Sequence, residues 1–235
     1  MTEGGGPERR IEIGKKPDLL ILFLCLVVLI SLDSCRPSPP NTISPAEINN
    51  LEGQASFFIR SPERQGRLRL GFLFSLPDKV RLELSNPFGG LESLIWLNGP
   101  EATLYLAREK VFWRGDSLVI TTDVFGQQLK PEELIRIFAA RWSELELENG
   151  WSLSRDEKGQ IIAGEKGAFK FAIKEYFAFS VFPRTVYFDY QGYSVRVRLK
   201  KLGFNRSGQE NLFNPKLPTG SREKSWEEIS GLWKK

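Results

Sequence analysis

Apolar and polar side chains alternate along much of the chain between residues 55 and 199. Alternation with a period of two is typical of a strand that buries one face. The segments that show or continue this pattern are 55–59, 68–74, 80–84, 94–97, 102–107, 111–114, 151–155, 160–163, 168–173, 184–190 and 193–199. Turn residues such as Pro77-Asp78 and Gln191-Gly192 separate neighbouring segments. The pattern therefore predicts about ten or eleven strands in two antiparallel groups.

Residues 130–142, KPEELIRIFAARW, break the alternation with a helical pattern. A proline and two glutamates occupy the first turn, where proline fits and negative charge is favourable. Apolar residues then recur at helical spacing along one wide stripe: Leu134, Ile135, Phe138, Ala139 and Trp142. The segment predicts one amphipathic helix that packs on the sheet.

A shorter helix is predicted before the first strand. Ser44 and Glu47 have the spacing of a capping box, in which each side chain binds the other residue's backbone N–H. Ile48 and Leu51 would then face inward, and Gly53 would end the helix.

The C-terminal residues 205–235 differ in composition from the alternating segments. Residues 205–224 are rich in Asn, Pro, Gly and charge, which predicts a loosely held connection. Ser225 and Glu228 then form a second capping box ahead of WEEISGLW, a short amphipathic helix.

An apolar face on every strand constrains the fold. A sheet of about ten strands with one apolar face cannot remain flat in water, so it must curl over helices or over a ligand. The predicted fold class is mostly β with α. We expect a strongly curved antiparallel sheet that forms an incomplete, half-open β-barrel, with helices as a lid or plug.

The N-terminal residues have the features of a targeting segment. Residues 19–32, LLILFLCLVVLISL, are uncharged and strongly apolar, and their length suits the h-region of a secretory signal. Four basic residues precede them: Arg9, Arg10, Lys15 and Lys16. The run ends in LDSC, which resembles the bacterial lipobox apart from Asp33. That resemblance implies cleavage before Cys35 and lipidation of Cys35. An uncleaved membrane anchor, or cleavage elsewhere, is the alternative.

These features divide the chain into four parts. Residues 1–34 are predicted to be a lipoprotein signal peptide, and residues 35–43 a Pro-rich tether. Residues 44–204 would form the incomplete barrel, and residues 205–235 the extension. Arginine rather than aspartate follows Cys35, and by analogy with envelope sorting this predicts a lipid anchor in the outer membrane, facing the periplasm.

Composition narrows the chemistry. The 235 residues carry a net charge of +4 without a long basic run, so nucleic acid is not an expected partner. The chain has no histidine and two cysteines, which cannot build a zinc cluster. The carboxylate pair Glu132-Glu133 is explained by the start of a helix. We expect no enzymatic activity, no metal and no cofactor.

The inner face of the predicted sheet is rich in leucine and phenylalanine, and the chain has 17 phenylalanines. A barrel of this size can be filled by its own side chains, or it can hold one apolar ligand. Each buried methylene of a bound acyl chain would contribute about 0.8 kcal/mol. Composition alone favours the filled interior.

The stretch RLELSNPFGGLESLIW resembles the outer-membrane lipoprotein insertase family LolB, within the wider LolA/LolB-like superfamily. GPEATLYLAREKVFWRGD, QQLKPEELIRIFAAR and PRTVYFDYQGYSVRVRLKKLGF are similar to the same family in pattern more than in identity. The resemblance covers roughly residues 44–204. It implies an apolar cavity for acyl chains, with the helix around 131–142 as part of its lid.

The resemblance also implies roles for particular residues. Phe88, flanked by Pro87 and Gly89, would project at the tip of a membrane-insertion loop. The residues expected to line the acyl-binding cavity are Leu68, Leu70, Phe72, Phe74, Leu82, Leu84, Leu104, Leu134, Phe138, Val186, Phe188, Val195 and Val197.

The function implied is the transfer of lipoproteins. A monomer anchored by its N-terminal lipid would accept lipoprotein acyl chains from a LolA-like periplasmic carrier and help insert them into the outer membrane. Two alternatives stay open. One is a lipid-binding or sensor lipoprotein that transfers nothing, and the other is a structural lipoprotein whose exposed aromatics, such as Trp113 and Trp233, mark a protein interface.

Overall fold

The computed structural model describes residues 47–60, 65–125, 128–190 and 193–233. The predicted signal segment, the tether, Cys35, the capping residue Ser44 and the turn at Gln191-Gly192 lie outside these residues. All eleven segments predicted as strands are strands in the structure, and a short twelfth follows near the C-terminus. Within the described part of the chain, no helix has the length and apolar character needed to cross a membrane.

The bounds of the elements are as follows. The strands are β1 (Asn50–Arg60), β2 (Gln65–Ser75), β3 (Lys79–Ser85), β4 (Leu91–Asn98), β5 (Glu101–Leu106), β6 (Val111–Asp116), β7 (Ser152–Arg155), β8 (Ile161–Lys166), β9 (Phe169–Tyr176), β10 (Pro183–Tyr190), β11 (Tyr193–Phe204) and β12 (Arg222–Glu223). The helices are α1 (Ser117–Phe125), α2 (Pro131–Phe138), α3 (Trp142–Leu147) and α4 (Trp226–Trp233), with a 3-10 helix at Glu210–Phe213.

One open sheet contains every described strand, in the order β12-β6-β5-β4-β3-β2-β1-β11-β10-β9-β8-β7. Strands β1–β6 and β7–β11 are two antiparallel meanders, which are the two groups predicted from the sequence. The seam between them is the antiparallel pair β1–β11, in which Leu51 lies opposite Phe204 and Ile59 opposite Val195. The sheet does not close on itself, because β7 and β12 stand at its two edges. The predicted incomplete barrel is confirmed.

The apolar faces of both meanders share one core. This core draws on β1 to β6, on β8 to β11 and on the four helices. A single ring shows how far the sheet curls. Phe138 of α2 lies 5.8 Å from Phe74 on β2 and 6.0 Å from Phe188 on β10 (ring centroids). These two strands are three positions apart, about 14 Å in a flat sheet. The two arms of the sheet therefore bend around α2.

The predicted helix at 130–142 is two helices in the structure. Its start is as expected, with Pro131 in the first turn and the Glu133 side chain accepting from the Lys130 N–H at 2.8 Å. It ends at Phe138, because Ala140 adopts a left-handed conformation (φ 55°) that an α-helix cannot continue. Trp142 then begins α3, so the last residue of the predicted stripe belongs to a separate helix.

The expected helix ending at Gly53 is wrong over all of its described residues, since residues 47–49 are not helical and β1 begins at Asn50. Residues 50–53 pair with β2 on one side, and residues 51–53 pair with β11 on the other, so their backbone groups are satisfied in the sheet. In this conformation Leu51 shares a face with Ala55, Phe57 and Ile59 and is fully buried. The capping pattern at the start misled the prediction beyond Glu47.

The convex face of the sheet carries a smaller apolar cluster of Leu94, Trp96, Tyr105 and Phe112. The C-terminal extension packs here. The indole N–H of Trp96 donates to the carbonyl oxygen of Leu212 at 3.1 Å, and β12 pairs in parallel with β6. We expected a loosely held connection over 205–224. Composition does not reveal these contacts, because their partners lie about 100 residues earlier in the chain.

Gly53 provides a test of the seam. A Cβ atom built on Gly53 would lie 2.2 Å from the Lys201 carbonyl oxygen and 2.5 Å from the Phe72 ring, so backbone would have to move. We expect Gly53→Ala to lower the free energy of unfolding by about 1–3 kcal/mol, as overpacking does. Gly71→Ala on β2 is the matched control, since its Cβ would meet nothing closer than 3.7 Å. Urea denaturation measures both, and equal midpoints would contradict the packing argument.

Candidate functional site

All thirteen residues predicted to line an acyl-binding cavity belong to the concave core. Ten of them are buried: Leu70, Phe72, Phe74, Leu84, Leu104, Leu134, Val186, Phe188, Val195 and Val197. The other three, Leu68, Leu82 and Phe138, are partly buried and pack against them. The thirteen residues therefore share one surface, as the alternation predicts. In this structure the surface is covered by the protein's own side chains rather than left open.

Helix α2 provides most of that cover over the middle of the sheet. Its residues Leu134, Ile135 and Ile137 are buried. Its Phe138 ring stacks at 6.4 Å from Phe72, and it also contacts Phe74 and Phe188. The Phe138 side chain thus fills the space between the two arms of the sheet, where a bound acyl chain would otherwise contact both arms. Helix α2, which has eight residues, therefore acts as a plug on the concave face of the sheet.

A buried carboxylate holds α2 against the second meander. Glu133 is 1% exposed, and its Oε1 accepts from the Lys166 ammonium group at 2.6 Å and from the Trp151 indole N–H at 2.7 Å. Its Oε2 accepts from the Lys130 N–H at 2.8 Å, at the start of its own helix. A buried carboxylate needs such partners, because unpaired charge in a protein interior is costly. We call Glu133, Lys166 and Trp151 the latch.

The sequence pattern predicts Glu133 at a helix start but does not predict the latch. The Glu133 Oε2 does bind the backbone at the helix start, as predicted. The Glu133 Oε1 instead binds Trp151 and Lys166, which the helix pattern does not predict. Trp151 and Lys166 lie 18 and 33 residues further along the chain, on the other side of α3. The available signal was a glutamate beside the predicted apolar stripe at Leu134, which places its carboxylate close to the core.

A second polar contact ties α2 to the end of α3. Arg136 donates to the Glu148 carboxylate at 2.6 Å and lies 3.4 Å from Glu144. The hydrogen bond from Arg136 lowers the pKa of Glu148 below its ordinary value. Since the carboxylate form is favoured in the folded state, this contact persists at neutral and mildly acidic pH and is lost only as the pH falls through that lowered pKa. The α2–α3 pair therefore behaves as one packed unit.

The turn between β3 and β4 holds Phe88 away from the sheet. The Asn86 side-chain oxygen accepts from the backbone N–H groups of Phe88 and Gly90, both at 3.0 Å. Gly89 adopts φ 94°, a conformation that suits glycine. The Phe88 side chain is 98% exposed and does not fold back onto the sheet. Pro87 and Gly89 are exposed beside it, so the predicted loop presents its ring to solvent.

A cavity of about 450 Å³ lies away from the predicted acyl site. It is lined by residues of α1, α4 and their surroundings: Asp116, Leu118, Val119, Thr122, Asp123, Gln128 and Trp226. None of the thirteen predicted lining residues contributes to it. Its carboxylates and hydroxyls do not match an acyl chain. Among the described residues no three His, Cys, Asp or Glu side chains are grouped as a metal site requires.

Trp113 was expected to be an exposed interface residue, and this is wrong. It is 7% exposed, and its ring lies 4.7 Å from that of Trp226 on α4. The C-terminal helix covers it, which alternation along β6 could not reveal. The Trp233 side chain lies outside the described residues.

No family model matches the chain, and no curated protein matches it. Among solved structures, a LolA superfamily protein from Nitrosomonas europaea is 9% identical, with a TM-score of 0.48 over 81% of this chain and 97% of that one. A domain named for outer membrane lipoprotein sorting, from Vibrio parahaemolyticus, is 13% identical, with a TM-score of 0.47 over 72% of this chain and 91% of that one.

A DUF1329 family protein from Desulfovibrio piger is 9% identical, with a TM-score of 0.44 over 72% of this chain and 91% of that one. At these identities and TM-scores, the similarities say nothing about ligand or activity. The resemblance to the LolB family in particular stays a prediction.

The latch can be tested by its contribution to stability. Glu133→Ala removes the shared acceptor and leaves the Trp151 N–H and the Lys166 ammonium group without it. We expect a loss of about 3 kcal/mol in the free energy of unfolding, the lower end for breaking a buried pair, because Lys166 can still reach water. Glu165→Ala is the control, since its pair with Lys170 is more than half exposed and contributes under about 1 kcal/mol. Similar urea midpoints for the two variants would contradict the latch.

Proposed function

We propose that this chain is a membrane-anchored protein that binds the acyl chains of lipoproteins on the concave face of its sheet and helps insert them into the outer membrane. The observation that carries the proposal is the aliphatic and aromatic surface of both meanders, which a single eight-residue helix covers at its centre. Binding requires that α2 leave this surface, so the structure corresponds to the closed form.

The free energy gained when α2 covers the sheet is similar in size to the free energy gained when an acyl chain binds there. Burying Leu134, Ile135, Ile137 and Phe138 contributes about 1.5–3 kcal/mol for each side chain, or roughly 6–12 kcal/mol in all. A methylene group contributes about 0.8 kcal/mol, so about 8–15 methylenes offset the four side chains. One long acyl chain therefore compensates for the apolar face of α2, and opening the latch adds a cost of about 3 kcal/mol. Exchange of this kind needs no nucleotide.

The polar contacts of α2 define how it moves. The latch lies at the start of the helix, and Ala140, in its left-handed conformation, lies just past the end. Release of Glu133 frees the start of α2, while Arg136 keeps it joined to Glu148 and α3. The helix then swings away from Phe72 and Phe188 as a lid that stays attached at its C-terminal end.

The remaining parts of the proposal concern the membrane. Lipidation of Cys35 anchors the chain, and a LolA-like periplasmic carrier delivers the cargo. The exposed Phe88 ring, held out by the Asn86 side chain, contacts the bilayer during delivery. An exposed aromatic at a turn loses little on entering the headgroup region and gains apolar contact there.

A second candidate function is favoured by the filled concave face. A structural envelope lipoprotein, or a sensor that transfers nothing, would keep α2 in place permanently. The side chains of its interior would then serve stability alone. The two functions differ in one measurable respect, which is whether an acyl chain can replace α2.

Uptake of a fluorescent diacylated cysteine peptide tests this replacement. We expect saturable binding by the purified protein, with tighter or faster binding to Glu133→Gln, because that variant weakens the latch while keeping the size of the side chain. Fluorescence titration gives the affinity, and stopped-flow mixing gives the rate.

The control for this experiment is Trp96→Leu, which destabilises the convex face and leaves α2 untouched. Equal gains in binding for both variants would show that general loosening, and not the lid, admits the peptide. Absence of binding to the wild type and to Glu133→Gln would exclude the acyl-binding function and leave the structural one.

The role of Phe88 is tested by release rather than uptake. We expect Phe88→Glu to bind the acylated peptide normally but to transfer it to vesicles several-fold more slowly, while Phe88→Leu transfers at the wild-type rate. Stability should change by less than about 0.5 kcal/mol in either variant, because the side chain is exposed. If Phe88→Glu delivers cargo at the wild-type rate, the loop has no part in insertion.

A further inference from the structure

The turn between β9 and β10 exposes an aromatic side chain, as the β3–β4 turn does, and no sequence pattern predicted it. Phe177 and Phe182 are buried at its two ends, and the Phe177 N–H donates to the Phe182 carbonyl oxygen at 3.1 Å. Between them, the Phe179 side chain is fully exposed, and Val181 is 56% exposed. We call residues 177–182 the aromatic turn. Its buried ends hold its apolar tip in solvent.

Phe179 is locally unfavourable in two independent ways. Its φ of 56° lies in the left-handed region, where a non-glycine residue is disfavoured by roughly 1–2 kcal/mol. Its ring also gains nothing from burial, although a buried phenylalanine would contribute about 1.5–3 kcal/mol. A glycine would satisfy the backbone better and expose no ring. The aromatic turn therefore fits a surface that supplies apolar contact.

The aromatic turn lies at the end of the sheet where the described chain begins. The Phe182 ring is 4.9 Å from that of Phe204, and Phe204 pairs with Leu51 at the start of β1. The adjacent Asn205 side chain binds the Glu47 carbonyl oxygen at 2.6 Å and accepts from the Asn49 N–H at 2.8 Å. Glu47, the first described residue, therefore lies on the aromatic-turn side of the domain.

Phe88 lies at the opposite end of the sheet. Strand β3 ends at Ser85, which pairs with Arg69, and Arg69 pairs with Ser56. The β3–β4 turn thus extends past the level of Ser56, away from the start of β1. The length of β1 from Leu51 to its far end is about 30 Å at roughly 3.3 Å per residue. One flat bilayer below an upright sheet contacts Phe179 or Phe88, and not both.

Basic residues lie on the three strands next to the aromatic turn. Lys174, Arg184, Lys200 and Lys201 are exposed at the adjacent ends of β9, β10 and β11. The guanidinium group of Arg184 lies 5.9 Å from the Phe177 ring centroid. The neighbouring Glu175 is paired with Arg198 at 3.7 Å. Exposed apolar residues close to several basic residues match the boundary between headgroups and acyl chains in an anionic bilayer.

The proposed membrane attachment lies in the sequence ahead of the domain. Residues 19–32 are the apolar segment, and residues 36–46 between Cys35 and the domain can span at most roughly 40 Å when extended. A lipidated Cys35 puts a bilayer within that distance of Glu47, and an uncleaved apolar segment, which is separated from Glu47 by 14 residues, puts one within roughly 50 Å. Glu47, which follows this stretch, lies at the end of the sheet that carries the aromatic turn, so this end is the nearer one to the membrane along the chain.

We infer that the aromatic turn is a membrane-docking element, which inserts Phe179 and Val181 into the headgroup–acyl boundary of the anionic membrane that holds the N-terminus. This inference rests on the membrane attachment in the proposed function and not on acyl binding. Docking through the turn sets the resting orientation, with Phe88 directed away from the anchoring membrane. The tether is long enough for the domain to turn over when Phe88 takes its place.

The test uses the full-length chain in vesicles of phosphatidylethanolamine and phosphatidylglycerol, with Cys25→Ser and a single environment-sensitive label at Phe179→Cys. The parent without the new cysteine measures any labelling at Cys35. We expect blue-shifted emission from position 179 and quenching by brominated acyl chains. Labels at Phe88→Cys and at the polar, exposed Glu109→Cys, both at the far end, should report water.

Emission from position 179 equal to that from position 109 would overturn the inference. Quenching at position 88 but not at 179 would also overturn it and would show the opposite orientation. Uptake of acylated peptide is measured in parallel, so loss of docking and loss of acyl binding are separate results.

Two further variants separate docking from folding. With the label moved to Ser180→Cys, Phe179→Gly should lower quenching while leaving the thermal midpoint unchanged or higher, because glycine accepts the left-handed backbone. Arg184→Gln should weaken docking on anionic vesicles about fivefold, since one basic residue near an anionic surface contributes about 1 kcal/mol. The same variant should have no effect on vesicles of phosphatidylcholine alone, and equal quenching across all these conditions would contradict membrane docking.

Discussion

The need to cover one apolar face governs this structure. The twelve strands of the described residues form an open sheet whose inner side chains come from both meanders, and exposure of these side chains to water would be unfavourable. A closed barrel would fill itself, but an open one needs material from outside the sheet. Helix α2 supplies that material with a few residues, and Phe138 reaches both arms at once. Every functional interpretation of the domain depends on whether this cover is permanent.

The way α2 is held bears on that question. Apolar contacts alone would let the helix slide, because burial is not directional. The hydrogen bonds of Glu133 to Lys166 and Trp151 are directional and join the helix to the second meander at one point. The buried carboxylate of Glu133 thus fixes the position of α2 in an interface that is otherwise apolar. Its partners on β8 and ahead of β7 place the latch near the edge of the sheet, where opening disturbs least.

Period-two alternation was sufficient to predict the eleven main strands and their grouping, because each strand buries one face. The Asn-Pro-Phe-Gly turn was also predictable, since Asn86 and Gly89 satisfy their own backbone locally. Helix α1 was missed because its Val, Ile and Thr residues favour strands. The break at Ala140, the latch and the packing of Trp96 depend on partners distant in sequence. Local pattern carries no information about such partners.

The seam between the two meanders has a consequence for how the chain is made. Strand β1 is synthesised early, yet one of its two neighbours is β11. Leu51 therefore cannot pair with Phe204 until about 150 more residues have been made. Contacts this far apart slow folding, because a long loop must close before they form. Until then the β1 edge presents unpaired backbone groups, which invite pairing with another chain. A nascent or truncated chain that ends before β11 is accordingly a substrate for chaperones or for aggregation.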